Sequence, residues 1–449
     1  MNLRDRFDRR LAGMGLPPGP ALAAVSGGAD SLALLDLLAR SPAASGFSLH
    51  VAHLDHGIHP QSAQAAEAVR AVVATYGLPF HVGRLGLGPG ASETAARAAR
   101  YAWLRQKADE LGADLIFTAH HRDDQVETVL MRVLNGSGPA GLAGMAPRTG
   151  RIVRPLLSFR REELAAYARS LSLVPWEDPA NRDPRHLRSW IRGQLLPVLR
   201  DRLPDVDRGL LTLARHAAAE RAAWDAFLEL MPGLDLRSEC DGVSVAASPL
   251  GGYDSGVARA LLGALGRRAG CLVGPMRAAR IERLLAGGRS GTVAQLGQGC
   301  AAELSFGRLR FFRESSEPGG AGESRSNGWE SLPIEDATGA ATVGRWRLTW
   351  QQEAAPDRLE RNSPSSWLTP GRYLVRPWRS GDRIRPLGGP GRRLVVRCMQ
   401  DARIARHERA GWPVIETAGT IVWVPGVCRA TEQVPAPGAP ALRIDAHHG

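Results

Sequence analysis

The hexapeptide Ser26-Gly27-Gly28-Ala29-Asp30-Ser31 combines the groups that hold a polyphosphate. Two glycines let the backbone turn tightly and bring bare N–H groups against phosphate oxygens. An apolar run at 21–25 precedes the loop and the helical pattern SLALLDLLAR follows, so a helix dipole aims its positive end at the same anion. Ser26 and Ser31 add hydroxyl donors, and Asp30 is placed to cap the helix or to hold a magnesium ion. No lysine follows the glycines, so the lysine-bearing loop that reaches the outer phosphates is excluded. Such a loop suits retention of pyrophosphate as a leaving group.

A second constellation lies at 118–128, Thr-Ala-His-His-Arg-Asp-Asp-Gln-Val-Glu-Thr. Asp123, Asp124 and Glu127 fall within about one helical turn, which puts Glu127 on the face of Asp123 or Asp124. Acids in a first turn also complement the helix dipole. Two histidines, His120 and His121, beside three acids at a strand's carboxyl end are more than a cap requires. Arg97 and Arg100 (i, i+3) and Arg188 and Arg192 (i, i+4) are cations at helical spacing, suited to phosphate, carboxylate or a solvated face.

The elements that must position these residues alternate. Strand-like runs at 21–25, 47–53, 80–85 and 115–119 are separated by helical patterns at 62–76, 94–111 and 123–134. This order implies βαβ units and a parallel, Rossmann-like α/β sheet with helices on both faces. Ligands of such sheets sit at the carboxyl ends of strands, where the loops 26–31, 54–60 and 120–124 fall. Helical patterns without strands follow at 159–171, 187–200 and 207–230, the last reading as a connector. A Gly/Ser/Glu-rich stretch at 315–328 reads as a linker. Short β-type runs then surround a helix expected at 394–406. The expected division is 1–205 (nucleotide-binding), 206–315 (helical connector and mixed middle domain), 316–332 (linker) and 333–449 (mixed C-terminal domain).

The net charge is +12 with a sequence pI near 10.5, carried almost wholly by arginine. That favours a polyanionic partner, RNA or DNA before membrane. The five cysteines form no C-x-x-C and none lies in residues 1–239, which argues against a zinc knuckle, a cluster or a disulfide framework. No apolar stretch is long enough to span a bilayer, and the charged N-terminus lacks an apolar run, so a cytoplasmic protein without a signal sequence is expected.

With these residues in view the chain resembles the PP-loop ATP pyrophosphatases, and within them the tRNA(Ile)-lysidine synthetases. The segments that carry the second likeness are His53-Leu54-Asp55-His56-Gly57, the run from Glu93 to Tyr101, the 118–128 cluster leading into GSGPAGLAGM, Arg154-Pro155-Leu156-Leu157, and residues 176–183. The chain departs from that pattern at Asn135 and Ser189. The resemblance implies ATP and Mg2+ as cofactors, and as partners L-lysine and the isoleucine tRNA with a CAU anticodon. It implies that lysine joins C2 of the wobble cytidine after adenylation, with release of pyrophosphate and AMP. Ser26, Gly27, Gly28, Ala29, Asp30, Ser31, His53, Asp55 and Arg100 would bind the nucleotide, and Asp30 and Asp124 the metal. Asp30, His120, Asp123, Asp124, Glu127 and Arg192 would form the catalytic set, the acids seating the lysine amine. Arg376, Arg379, Arg383 and Arg385 would grip the tRNA. The group that deprotonates the amine stays open among His120, His121 and a carboxylate. The oligomeric state stays open too, a homodimer being one option. The alternatives are a PP-loop tRNA thiolase, disfavoured by the cysteine-free first half, and a non-catalytic nucleotide-responsive RNA-binding protein, disfavoured by the acidic cluster.

Overall fold

The computed structural model describes residues 2–55, 62–85, 93–171, 175, 187–239, 241–314 and 331–448. The expected loop residues 56–60, the 176–183 segment and the linker up to 330 lie outside the described residues. The chain divides into two compact units, Met1–Phe227 and Leu228–Gly449.

The first unit is built on a six-stranded sheet. Its strands are β1 (Gly19–Ala24), β2 (Phe47–Asp55), β3 (Phe80–Arg84), β4 (Leu115–Phe117), β5 (Arg148–Thr149) and β6 (Ile152–Val153), in the order β3-β2-β1-β4-β6-β5. Every pair is parallel except β5 with β6. The parallel α/β sheet expected from the alternation is therefore present. The order reverses at β1, where β2 lies on one side and β4 on the other, and a crevice opens beyond the carboxyl ends of such strands.

The helices are α1 (Leu3–Ala12), α2 (Ala29–Arg40), α3 (Ser62–Ala74), α4 (Glu93–Glu110), α5 (Arg122–Leu134), α6 (Pro139–Leu142), α7 (Arg161–Ser170), α8 (Leu187–Trp190), α9 (Leu196–Arg202) and α10 (Val206–Phe227). Helix α2 buries eight successive residues from Ser31 to Leu38, and each buried leucine contributes about 1.5–3 kcal/mol. The helix therefore cannot shift without uncovering the core, and this fixes the loop at its start. Its one buried carboxylate, Asp36, is satisfied from four sides, by Arg4 (3.2 Å), Arg40 (2.7 Å), Tyr76 (2.8 Å) and Tyr167 (2.6 Å). Burial pushes the Asp36 carboxyl up, but these hydrogen bonds outweigh it and hold it below the usual carboxylate range. Helix α10, expected as a connector, packs against α5 and α6, so the division falls after Phe227.

Among the described residues the second unit contains a five-stranded antiparallel sheet between Arg237 and Arg313, and three further antiparallel sheets, of five, four and two strands, between Leu332 and His448. Arg376, expected to contact tRNA, is buried there and held by Asp382 (2.9 Å) and Glu416 (2.8 Å). Its guanidinium is thereby engaged by two acids. Arg379, Arg383 and Arg385 are exposed. The helix expected at 394–406 spans only Val395–Asp401. Among the described residues no helix is long and apolar enough to cross a membrane.

Candidate active site

The loop after β1 has the geometry of an anion cradle. Val25 N–H still donates to Ala52 O (2.9 Å), and the chain then turns through Gly27 at φ 93°, a conformation that side chains avoid. Gly28 is the N-cap of α2 and supplies no side-chain cap. The first N–H groups of a helix have no intrahelical partners, and here they face the loop with the helix dipole behind them. Ser31 Oγ accepts from Gly27 N–H (3.1 Å) and donates to Gly28 O (2.8 Å), so its proton fastens the loop. Ser26 Oγ lies 3.3 Å from Ser31 Oγ.

His53 is a strut beneath this loop. Its Nδ1 lies 2.9 Å from Val25 O and the ring is buried, which holds its pKa below the ordinary histidine value. Donation to that carbonyl leaves Nε2 as the unprotonated nitrogen. Asp55, buried at the end of β2, has Arg84 Nε at 4.0 Å.

Asp30 is not the cap of α2 but stands in its first turn. Its Oδ2 lies 3.5 Å from His121 Nε2, and the same nitrogen is 3.4 Å from Asp124 Oδ2. His121 thus joins the loop after β1 to the loop after β4. It is also the N-cap of α5: its Nδ1 accepts from Asp124 N–H (3.3 Å) while its own N–H donates to Asp124 Oδ2 (3.0 Å). Burial alone would lower the His121 pKa, but Asp30 and Asp124 outweigh it and hold it above the ordinary value. Asp124 is shifted the other way, below the usual carboxylate range: burial opposes ionisation, and His121 and Arg188 favour it more.

The three acids divide their roles. Asp124 Oδ1 accepts from Arg188 Nη2 (2.7 Å) and Arg192 Nη2 (3.3 Å). Glu127, 2% exposed, accepts from Arg188 Nε (2.8 Å) at Oε2, and from Arg192 at both oxygens (2.6 and 2.9 Å). Asp123 turns away from them: Oδ2 caps α7 through Arg161 N–H (2.9 Å) and Oδ1 accepts from Arg200 (3.2 Å). The family resemblance implies that the acids seat an incoming amine. In the fold Asp124 and Glu127 are already neutralised by Arg188 and Arg192.

His120 lies on the same wall, half-buried, with Nδ1 3.0 Å from Thr118 Oγ1. Desolvation pushes its pKa down to about 3; Asp124 opposes this, and Arg97, Arg154 and Arg188 add to it. It is therefore a neutral base at physiological pH. The charge of Arg97, on α4, reaches His120 and Arg154. In the sequence Arg154 stands out only as part of an R-P-L-L segment. Helix α5 also clasps the glycine-rich 136–145 stretch. Gln125 bonds both backbone groups of Met145 (2.7 and 2.9 Å), and Arg132 donates to Gly144 O (2.9 Å).

A magnesium ion bound with a polyphosphate needs only one or two protein carboxylates, the phosphates and water supplying the rest. Among the described residues no three His, Cys, Asp or Glu side chains converge to hold a metal by themselves. Asp30 fits the smaller demand, because its Oδ1 is buried without a hydrogen-bond partner. Both Asp124 oxygens are engaged by His121, Arg188 and Arg192.

A glycine turn at a helix start without a side-chain cap, at the switch point of a parallel sheet and faced by an orphaned carboxylate oxygen, defines a PP-loop nucleotide-using enzyme. Residues 7–199 match the PP-loop domain family and residues 374–446 the TilS substrate C-terminal domain family. A tRNA(Ile)-lysidine synthase of Symbiobacterium thermophilum is 36% identical, over 96% of this chain and 94% of the relative. One of Alkalilimnicola ehrlichii is 34% identical, over 97% and 95%. The chain belongs to the tRNA(Ile)-lysidine synthase family. A solved U34-tRNA thiolase of Methanococcus maripaludis, carrying a [4Fe-4S] cluster, is 18% identical over 48% of this chain and 78% of that one, with a TM-score of 0.41.

Proposed function

We propose that the chain joins L-lysine to C2 of the wobble cytidine of the isoleucine tRNA with a CAU anticodon, in the cytoplasm and at the expense of ATP. The cytidine C2 oxygen attacks the α-phosphate of ATP and pyrophosphate leaves. The lysine ε-amine then attacks C2 and displaces AMP. The observation that carries this reading is the glycine loop at the start of α2, with the Asp30 Oδ1 atom left unpartnered beside it. The loop and the helix N-terminus stabilise the charge that develops on the departing pyrophosphate. Asp30 would hold Mg2+, which supplies further charge neutralisation when bound.

An ordinary lysine amine is protonated near neutral pH and must lose a proton before attack; His120, with its pKa pushed down to about 3, stays neutral but is a weak acceptor for that proton. His121, held by Asp30 and Asp124, keeps the nucleotide loop and the α5 wall in register. Arg188 and Arg192 are aimed by Asp124 and Glu127, and planar guanidinium forks match a carboxylate. In our assignment they receive the lysine α-carboxylate, and the acids act by orienting them. The exposed Arg379, Arg383 and Arg385 supply part of the tRNA contact.

Purified protein, ATP, Mg2+, labelled lysine and a transcript of the CAU-anticodon isoleucine tRNA test the reading. Label in the RNA together with equimolar AMP is expected. ATP cleavage without lysine in the RNA would refute it.

A further inference from the structure

Among the described residues, the buried Arg154 has no acidic partner, and the exposed Arg97 acts on its charge. Arg154 stands at the carboxyl end of β6 and is 8% exposed. Its Nη1 donates to Ala146 O (2.9 Å) and Thr149 Oγ1 (3.2 Å), but its Nε is buried without any hydrogen-bond partner. The groups that act on its charge are Tyr101 and Arg97, and no carboxylate is among them. A buried guanidinium with no anion is costly, and such groups are normally paired. By contrast Arg188 and Arg192 have Asp124 and Glu127, and Arg200 has Asp123 and Asp207.

Arg97 approaches from α4. Its guanidinium lies over the Tyr101 ring, 5.1 Å from the centroid, with Nη2 3.4 Å from the Tyr101 hydroxyl. Tyr101 thus lies against Arg97 and also acts on the charge of Arg154. Like charges so placed repel in the empty protein and are stabilised by a shared anion. Thr118, whose Oγ1 lies 3.0 Å from His120 Nδ1, donates its N–H to Val153 O (2.9 Å), the residue before Arg154, so Arg154 stands beside the strand end that carries His120; both arginines also push the His120 pKa down.

We propose that Arg97 and Arg154, joined through Tyr101, form a phosphate subsite separate from the pyrophosphate loop. It takes one phosphate, either the one that stays on the nucleotide when pyrophosphate leaves or a phosphodiester of the bound RNA. A guanidinium fork binds either through its paired oxygens. The subsite rests on reading the chain as an adenylating enzyme. It divides the work of that reaction: loop 26–31 holds the group that leaves, and the arginine pair holds the phosphate that remains beside His120.

The test is equilibrium binding to the full chain, by calorimetry, of three probes: AMP, inorganic pyrophosphate, and an anticodon stem-loop RNA. Arg97→Ala removes an exposed side chain and should fold normally. Arg154→Lys keeps the charge but loses the fork, and thermal melts identify any unfolding. Because a hydrogen bond to a charged group contributes about 1.5–3 kcal/mol, each variant should bind one phosphate probe about tenfold or more weakly. Pyrophosphate affinity should stay as in the parent. Loss confined to AMP assigns the phosphate to the nucleotide, and loss confined to the stem-loop assigns it to RNA. Unchanged affinity for both in two folded variants overturns the subsite. If the parent binds no pyrophosphate while its AMP binding still depends on Arg97 and Arg154, the loop assignment falls and the subsite stands.

Discussion

Glu127→Gln separates the two roles open to the acidic wall. Glu127 is 2% exposed and receives three hydrogen bonds from Arg188 and Arg192. The amide keeps the shape, removes the charge, and points N–H groups at guanidinium N–H groups. Breaking a buried ion pair from one side costs about 3–5 kcal/mol. The two arginine side chains are 24% and 31% exposed, so water screens part of this, and about 2–3 kcal/mol is the expected loss. For a unit the size of Met1–Phe227, each kcal/mol lowers Tm by about 2–4 °C, so a fall of about 4–12 °C is expected. Circular-dichroism melts read this directly. Lysine-dependent turnover should fall in parallel through a higher KM for lysine, because the forks that receive its carboxylate lose their alignment. Arg192→Met should raise the same KM, and the double variant should be less than additive. A Tm within about 1 °C of the parent, with a strongly raised KM, would refute the reasoning. Glu127 would then meet the lysine ammonium itself.

Three other outcomes follow from the site. The His120 pKa is depressed in the fold, from 6.5 to about 3. Its contribution to stability is therefore complete above about pH 6.5 and is lost as pH falls toward 3. Urea midpoints measured across this range should decline less in His120→Gln, and identical pH profiles would refute the burial argument. Gly27→Ala forces a side chain to φ 93°, a strain of about 1–3 kcal/mol. Pyrophosphate release should drop more than tenfold, and the strain should lower Tm by about 2–12 °C. Arg383→Glu with Arg385→Glu should weaken RNA binding and lower the salt slope by about one per lost phosphate contact. Arg376→Ala should instead destabilise its sheet without changing that slope, because Arg376 is already paired with Asp382 and Glu416.

What the sequence determined by itself is the nucleotide loop and the parallel α/β class of the sheet. Both are local signals. A Gly-Gly turn between an apolar run and a helix has few conformations, and alternating strand and helix patterns leave a parallel sheet as the way to bury both faces. The wall opposite the loop was only half legible. The HHRDDQVET run announced acids near a strand end, but not which of them remain free, because their partners Arg188 and Arg192 stand 61 to 68 residues further on. Only the tertiary fold decides that pairing. Local backbone detail contributes as well: Arg192 lies in a π turn, Ile191–Leu195, where Leu196 N–H reaches back to Ile191 O. Pro197 follows without an N–H to continue the α-helical ladder, and a regular 3.6-residue pattern does not foresee that widening. The same holds for Arg154, which has no acid among the described residues. Which face of α4 meets the sheet, and which cation finds no acid, are set by packing between distant segments, which no spacing within one segment records.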